Sequence, residues 1–211
     1  MEEIPTTAYP LSLSIDYPDG DRNRLTIFFR LFMLIPIWVV LALLSTSEFS
    51  GGGEEWDFYV GGGGVVAIPI VLMILFRQKY PKWWFNWNLE LTRFSTRVFA
   101  YFALLRDEYP STDEEQSVHL DIVYPDAKED LNRWLPLVKW LLAILHYFVL
   151  IFLGIVSIVL IIIAWFAILF TGRYPKEMFG FVVGVERWSL RVGAYAFLLV
   201  TDKYPPFRLG E

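Results

Sequence analysis

The chain has 211 residues, a net charge of −5 and no cysteine. The acidic balance excludes a general nucleic-acid binder, which needs a net basic footprint, and the missing thiols exclude disulfides, thiolate metal sites, iron–sulfur ligation and Cys nucleophiles. Hydrophobic residues make up 55 % and the mean hydropathy is +0.44. Soluble domains sit nearer about 45–50 % apolar, and here the excess is gathered in blocks, as membrane spans are.

The start, Met1-Glu2-Glu3, is acidic, so it lacks the basic region of a secretory signal, and Glu2 stands where myristoylation needs glycine. Leu11 to Asp16 alternates apolar and polar residues, which predicts a half-buried strand ended by Tyr17-Pro18-Asp19. Leu25 to Leu44 is apolar except for Thr26 and Arg30, about the length that crosses a bilayer. Arg30 lies close enough to the start to snorkel to the headgroups. Ser45 to Phe58 reads as a polar loop, and Tyr59 to Phe76 as the returning span, opening on Gly61 to Gly64, whose small size allows close helix contact. Trp83–Arg106 is helix-length and carries Asn86, Glu90, Arg93 and Arg97 on one face. A narrow polar stripe with a wide apolar face suits a helix lying in the membrane interface. A tilted or re-entrant helix whose arginines face a partner is the alternative.

Asp113-Glu114-Glu115 reads as a solvated linker. Val118 to Ile122 again alternates as a strand. The two strands have two possible partners, each other or a strand of another chain. Leu135 to Phe170 is a run of roughly 36 residues that would measure about 54 Å as one helix, against about 30 Å for a bilayer core. It is therefore expected to turn near Gly154 to Ser157. Glu177–Val200 is a second charged apolar helix, with Gly180, Gly184, Arg187 and Arg191 on one face.

These elements recur in order. Tyr80-Pro81-Lys82 returns as Tyr174-Pro175-Lys176, and Arg93-Phe94-Ser95-Thr96-Arg97-Val98 as Arg187-Trp188-Ser189-Leu190-Arg191-Val192. Asp107-Glu108-Tyr109-Pro110 matches Asp202-Lys203-Tyr204-Pro205, and Asn23-Arg24 matches Asn132-Arg133. The chain thus reads as two tandem repeats, 9–110 and 117–206, forming one membrane domain. The expected fold class is a mainly α membrane protein. Four transmembrane helices form two tandem hairpins, each preceded by a short β-strand and followed by an amphipathic interfacial helix. The loop between the first two spans carries acids and no Lys or Arg, whereas Arg22, Arg24, Arg77, Lys79, Arg133 and Arg173 lie on the other side. Both termini are therefore expected in the cytoplasm.

Tyr17-Pro18, Gly172-Arg173-Tyr174-Pro175, Phe181-Val182-Val183-Gly184-Val185, the Arg187 to Val192 segment and Asp202-Lys203-Tyr204-Pro205-Pro206-Phe207 resemble the bacterial membrane-protein family catalogued as domain of unknown function 4389. The resemblance covers nearly the whole chain and is closer in the second copy. The first departs from it at Trp83-Trp84-Phe85-Asn86-Trp87-Asn88. It implies a bacterial source and a multi-span location in the inner membrane, and no established activity.

His146 is the one histidine in an apolar span. It is either an axial ligand for haem or chlorophyll or a packed helix residue. Lys139, two turns earlier, is expected to snorkel. Arg93, Arg97, Arg187 and Arg191, with Trp188 beside them, are candidates to hold lipid phosphates or a partner's carboxylates. A local salt bridge to Glu90 or Glu186 is the competing use. Gly180-x-x-x-Gly184 matches a helix-contact motif. No catalytic or phosphate-loop motif, and no metal-ligand cluster, is present in the sequence. The expected function is a non-catalytic accessory or scaffolding subunit of a bacterial inner-membrane complex, with lipids, other membrane subunits and further copies of itself as partners. A lipid-binding or membrane-shaping role, or a small oligomeric transporter or pore, stands behind it.

Overall fold

Leu11–Ile15 (β1) and Val118–Ile122 (β2) both bury alternate residues, and they pair with each other in antiparallel register around Leu13 opposite Leu120. The flanking bonds, Asp16 N to Ser117 O at 3.1 Å and Val123 N to Pro10 O at 3.0 Å, fix the phase of the ladder. The hydrogen-bonded pairs alternate from there, so Leu13 and Leu120 form a non-bonded pair whose N–H and C=O groups point off the outer edges. The computed structural model describes residues 9–18, 20, 22–45, 62–112, 114 and 116–210; of the loop expected over Ser45 to Phe58, all but Ser45 lies outside them.

Six helices join the sheet among the described residues: Arg24–Ser45 (α1), Gly62–Arg77 (α2), Lys82–Phe102 (α3), Pro136–Leu142 (α4), Ile144–Thr171 (α5) and Lys176–Ala196 (α6). Asn23 caps α1, its Oδ1 accepting the Leu25 and Thr26 N–H groups. Pro36 stands inside α1, and the helix bends by 49° between its Arg24–Arg30 and Phe32–Leu41 parts. A proline at 36 removes the hydrogen bond to the Phe32 carbonyl, and the ring crowds that carbonyl. Helices α3 and α6 have 21 residues each and start directly after Tyr-Pro, where a proline cannot be followed back into helix.

The long apolar run breaks where the sequence carries no mark for it. The turn expected near Gly154 to Ser157 is absent, and α5 passes straight through those residues. The run is interrupted instead at the buried Ala143, between α4 and α5. Gly154 sits in open space with nothing near its Cβ position, and a lone glycine weakens a helix without breaking it. The 28 residues left in α5 measure about 42 Å, which matches the about 40–45 Å of a bilayer with its headgroups. The excess length of the run is thus absorbed by cutting off α4. Helix α5 ends on Gly172, whose φ of 77° is the left-handed C-cap that glycine takes without strain. Among the described residues this one helix is long and apolar enough to cross a membrane, or two if the bent α1 counts as a single span. This is fewer than the four expected, and the second hairpin is replaced by a continuous helix.

Helix α6 turns back along α5. His146, at the start of α5, touches Trp188, well into α6, while only residues 172–175 separate the two helices at their other ends. Phe197, just past the end of α6, stacks on Tyr147, so α6 returns along α5 toward its start. Val182, Val183, Val192 and Ala194 of α6 are buried. The largest buried cluster joins Leu13, Leu120 and Ile122 of the sheet to Ala164 and Ile168 of α5 and Val182 of α6. Replacing the buried Leu13 by alanine should cost about 3 kcal/mol through lost contacts and a cavity. Ser12→Ala, on the exposed face, should stay within about 0.5 kcal/mol. Thermal unfolding in detergent separates the two.

Candidate functional site

Arg93 of α3 reaches β2, the strand of the other half. Its Nε donates to the outward Leu120 carbonyl at 2.9 Å, its Nη1 to Glu90 at 2.7 Å and its Nη2 to Asp121 at 2.8 Å. Arg187 of α6 does the same at β1, donating from Nε and Nη2 to the Leu13 carbonyl at 3.1 and 2.9 Å, and from Nη1 to Leu209 O at 3.1 Å. The outward carbonyls of the central pair are therefore each held by an arginine from the opposite half. Arg97 donates to Ser111 O at 2.9 Å. Arg191, almost fully buried, donates to the carbonyls of Arg208 and Gly210. Glu90 is one of Arg93's partners, as the competing reading held. Strand and C-terminal carbonyls, not Glu186, hold Arg187, and burial pushes the Glu186 carboxyl up to about 7.

The same crossing recurs at the strand ends. The Tyr17 hydroxyl donates to the Tyr174 carbonyl, and the Tyr124 hydroxyl to the Tyr80 carbonyl. Each strand's closing Tyr-Pro thus meets the Tyr-Pro that opens the other half's last helix.

Two buried cations form a second matched pair. Arg30 does not snorkel. It is buried over the Tyr101 ring at 4.4 Å, ion-paired with Asp107 and bonded to the Tyr101 and Arg106 carbonyls. Lys139 does not snorkel either. It pairs with Asp202 at 2.7 Å, donates to Thr201 O at 2.7 Å and lies 5.2 Å from the Tyr195 ring centre. The reason is common to both: an acid follows each last helix and is brought back by a sharp turn, with Leu104 at φ 62° and Leu199 at φ 57°. Asp107, Asp202, Tyr101 and Tyr195 were not singled out as functional from the sequence. The recurrence of an acid before each closing Tyr-Pro was the signal for the two aspartates.

His146 is fully buried. Its Nδ1 accepts the Trp188 Nε1–H at 3.1 Å, and its ring stacks on Phe207 at 4.0 Å and contacts Tyr204 at 4.8 Å. With Nδ1 accepting, the neutral ring carries its proton on Nε2, and that atom is buried without an acceptor. The Nδ1 lone pair is thus taken by Trp188, and Phe207 and Tyr204 lie against the ring. Trp188 is buried here and turned toward His146, away from lipid. Among the described residues no group of three or more His, Asp or Glu is placed to hold a metal ion. Gly180 has open space around its Cβ position, while Gly184 lies against Leu209 of the C-terminal segment. The Gly180-x-x-x-Gly184 pair is thus a chain-passage point, not a helix–helix seam.

Residues 134–208 match the model of the family described as domain of unknown function DUF4389. The match lies in the second half, where the sequence resemblance was the closer, and does not extend over the first. No curated protein and no solved structure matches the chain.

Asp202→Ala should leave Lys139 buried and uncompensated, at a cost on the order of 3 kcal/mol, and adding Lys139→Met should recover much of it. A double-mutant cycle in thermal unfolding checks both. Glu108 supplies a pH signature. Burial would raise its carboxyl, but donors on Ser117 and Arg106 outweigh that and hold it down at about 2, from 4.5. Its stabilising contribution is complete above pH 4.5 and is lost as the pH falls toward about 2. Glu108→Gln should therefore flatten the decline of melting temperature across that acid range.

Proposed function

We propose that this chain is a non-catalytic accessory or scaffolding subunit of a bacterial inner-membrane protein complex, built from two copies of one unit. One observation carries the reading: an exposed apolar helix stands on a frame whose functional-looking polar groups are turned inward. Only 11 % of the most apolar stretch of α5 is buried inside the protein, unlike the core helix of a soluble domain. Arg93, Arg187, Arg191 and Lys139 meanwhile donate to the chain's own carbonyls and carboxylates, and His146 accepts from Trp188. Such a frame supports rigidity and surface presentation, not turnover. Arg22 and Arg24 beside the first apolar segment favour a cytosolic position for that end of it.

The absence of native cysteine makes the crossing directly testable. Single cysteines at Phe148, Ile158 and Phe170, all exposed, should accept spin labels. Label 158 should sit deepest in the bilayer, with 148 and 170 near the headgroups. Three equally shallow labels would mean an in-plane helix. For the complex, gentle extraction from native membranes should recover the tagged chain in a larger assembly of fixed stoichiometry, and recovery as a lone monomer would refute the accessory role.

A further inference from the structure

A hollow of about 500 Å³ opens where the end of α2 meets the turn after β2, and it is lined by Arg77, Lys79, Lys128, Tyr80, Tyr124 and Asp126 among others. Its floor is built. Tyr80 is held by Tyr124 from one side and by its own bond to Leu198 O at 2.7 Å on the other. Gln78, at φ 45°, turns the chain out of α2 so that Arg77 and Lys79 both reach the same hollow. The Gln78 side chain is fixed in turn by Arg133 at 2.8 Å. Three cations therefore share one concave site with a single lining acid, Asp126, whose Oδ1 is already occupied by the Lys128 N–H at 2.9 Å.

The side chains of Arg77, Lys79 and Lys128 take part in no ion pair or hydrogen bond among the described residues, unlike the inward-turned arginines of α3 and α6. The larger hollow at the other strand end differs in this respect. Its Arg106 is bonded to Glu108 and to the Asp16 carbonyl, and its Lys176 lies over the Tyr17 ring. Unsatisfied cations close together repel one another, and a bound anion relieves that repulsion. Phe76, one residue before Arg77, is 75 % exposed, and Leu72, one turn earlier, is also exposed.

We infer that this hollow binds the phosphate of an anionic phospholipid, with Arg77, Lys79 and Lys128 around the headgroup and an acyl chain along Leu72 and Phe76. The cations select the charge of the headgroup. The neighbouring apolar stripe selects a lipid over a free phosphate ion. The inference is independent of the accessory role, because it concerns only what this face of α2 meets in the bilayer.

Calorimetry on the full chain in neutral detergent tests it, with dihexanoyl phosphatidylglycerol, dihexanoyl phosphatidylcholine and inorganic phosphate as the three titrants. Phosphatidylglycerol should bind, more weakly as salt rises, and the other two should bind at least roughly tenfold less tightly. The combined Arg77→Gln, Lys79→Gln and Lys128→Gln variant should lose roughly tenfold or more in affinity, in keeping with the pull of each cation on anionic lipid. Asp126→Asn, which removes the lining negative charge and leaves the cations in place, should tighten binding, so a misfolded triple variant does not spare the idea. Arg24→Gln, at the far end of the first apolar segment, should change little. Equal binding of inorganic phosphate would overturn the lipid assignment. Unchanged affinity in the triple variant, no gain in Asp126→Asn, or an equal loss in Arg24→Gln would overturn the site.

Discussion

Two five-residue strands are too little sheet to stand alone in water, and every residue of such a pair lies on an edge. The arrangement rests on how those edges are closed. At the central pair the backbone carbonyls face away from the partner strand, where they would otherwise invite a third strand or remain unsatisfied. Arg187 covers one and Arg93 the other, each fork arriving from a helix of the opposite half. Once those two contacts are made, the strands are committed to each other, α3 and α6 are pinned across the sheet, and the apolar face of Leu13 and Leu120 is turned onto the helices behind it.

The rest of the frame repeats that logic with different chemistry. Arg30 and Lys139 are different cations, yet each sits against a tyrosine ring and an aspartate that follows the last helix of its own half. Tyr17 and Tyr124 each bridge to a carbonyl in the other half. Contacts of the first kind close a half on itself, and contacts of the second kind lock the halves together. Leu104 and Leu199 adopt a backbone region that costs a bulky residue strain. The strained turns persist because they deliver Asp107 and Asp202 to buried cations.

Much of this was legible in the sequence, and the failures have identifiable causes. The strands announced themselves by alternation, and the last helices by their length and one-sided polar stripe, because both signals are local. The turn in the second apolar run was misplaced because the length argument treated residues 135–170 as one rod. The break fell at Ala143, a residue with high helix propensity, where only packing against Trp188 and Tyr195 marks it. The arginine stripe was visible, but its acceptors were not. Arg93 bonds a carbonyl 27 positions away and Arg187 one 174 positions away, and backbone acceptors leave no trace in residue identity. His146 stood out as an ionisable group in an apolar run, and what encloses it is a C-terminal segment that periodicity does not place.

The crossed contacts also bear on what the peptide segment between the halves contributes. None of the bonds from Arg93, Arg187, Tyr17 or Tyr124 requires that the two halves belong to one polypeptide. They are the kind of contact that two separate molecules make at a shared twofold interface. The stretch between the last helix of the first half and β2 acts as a tether, raising the effective concentration of one half around the other. Covalent continuity therefore enters this architecture as an entropic term.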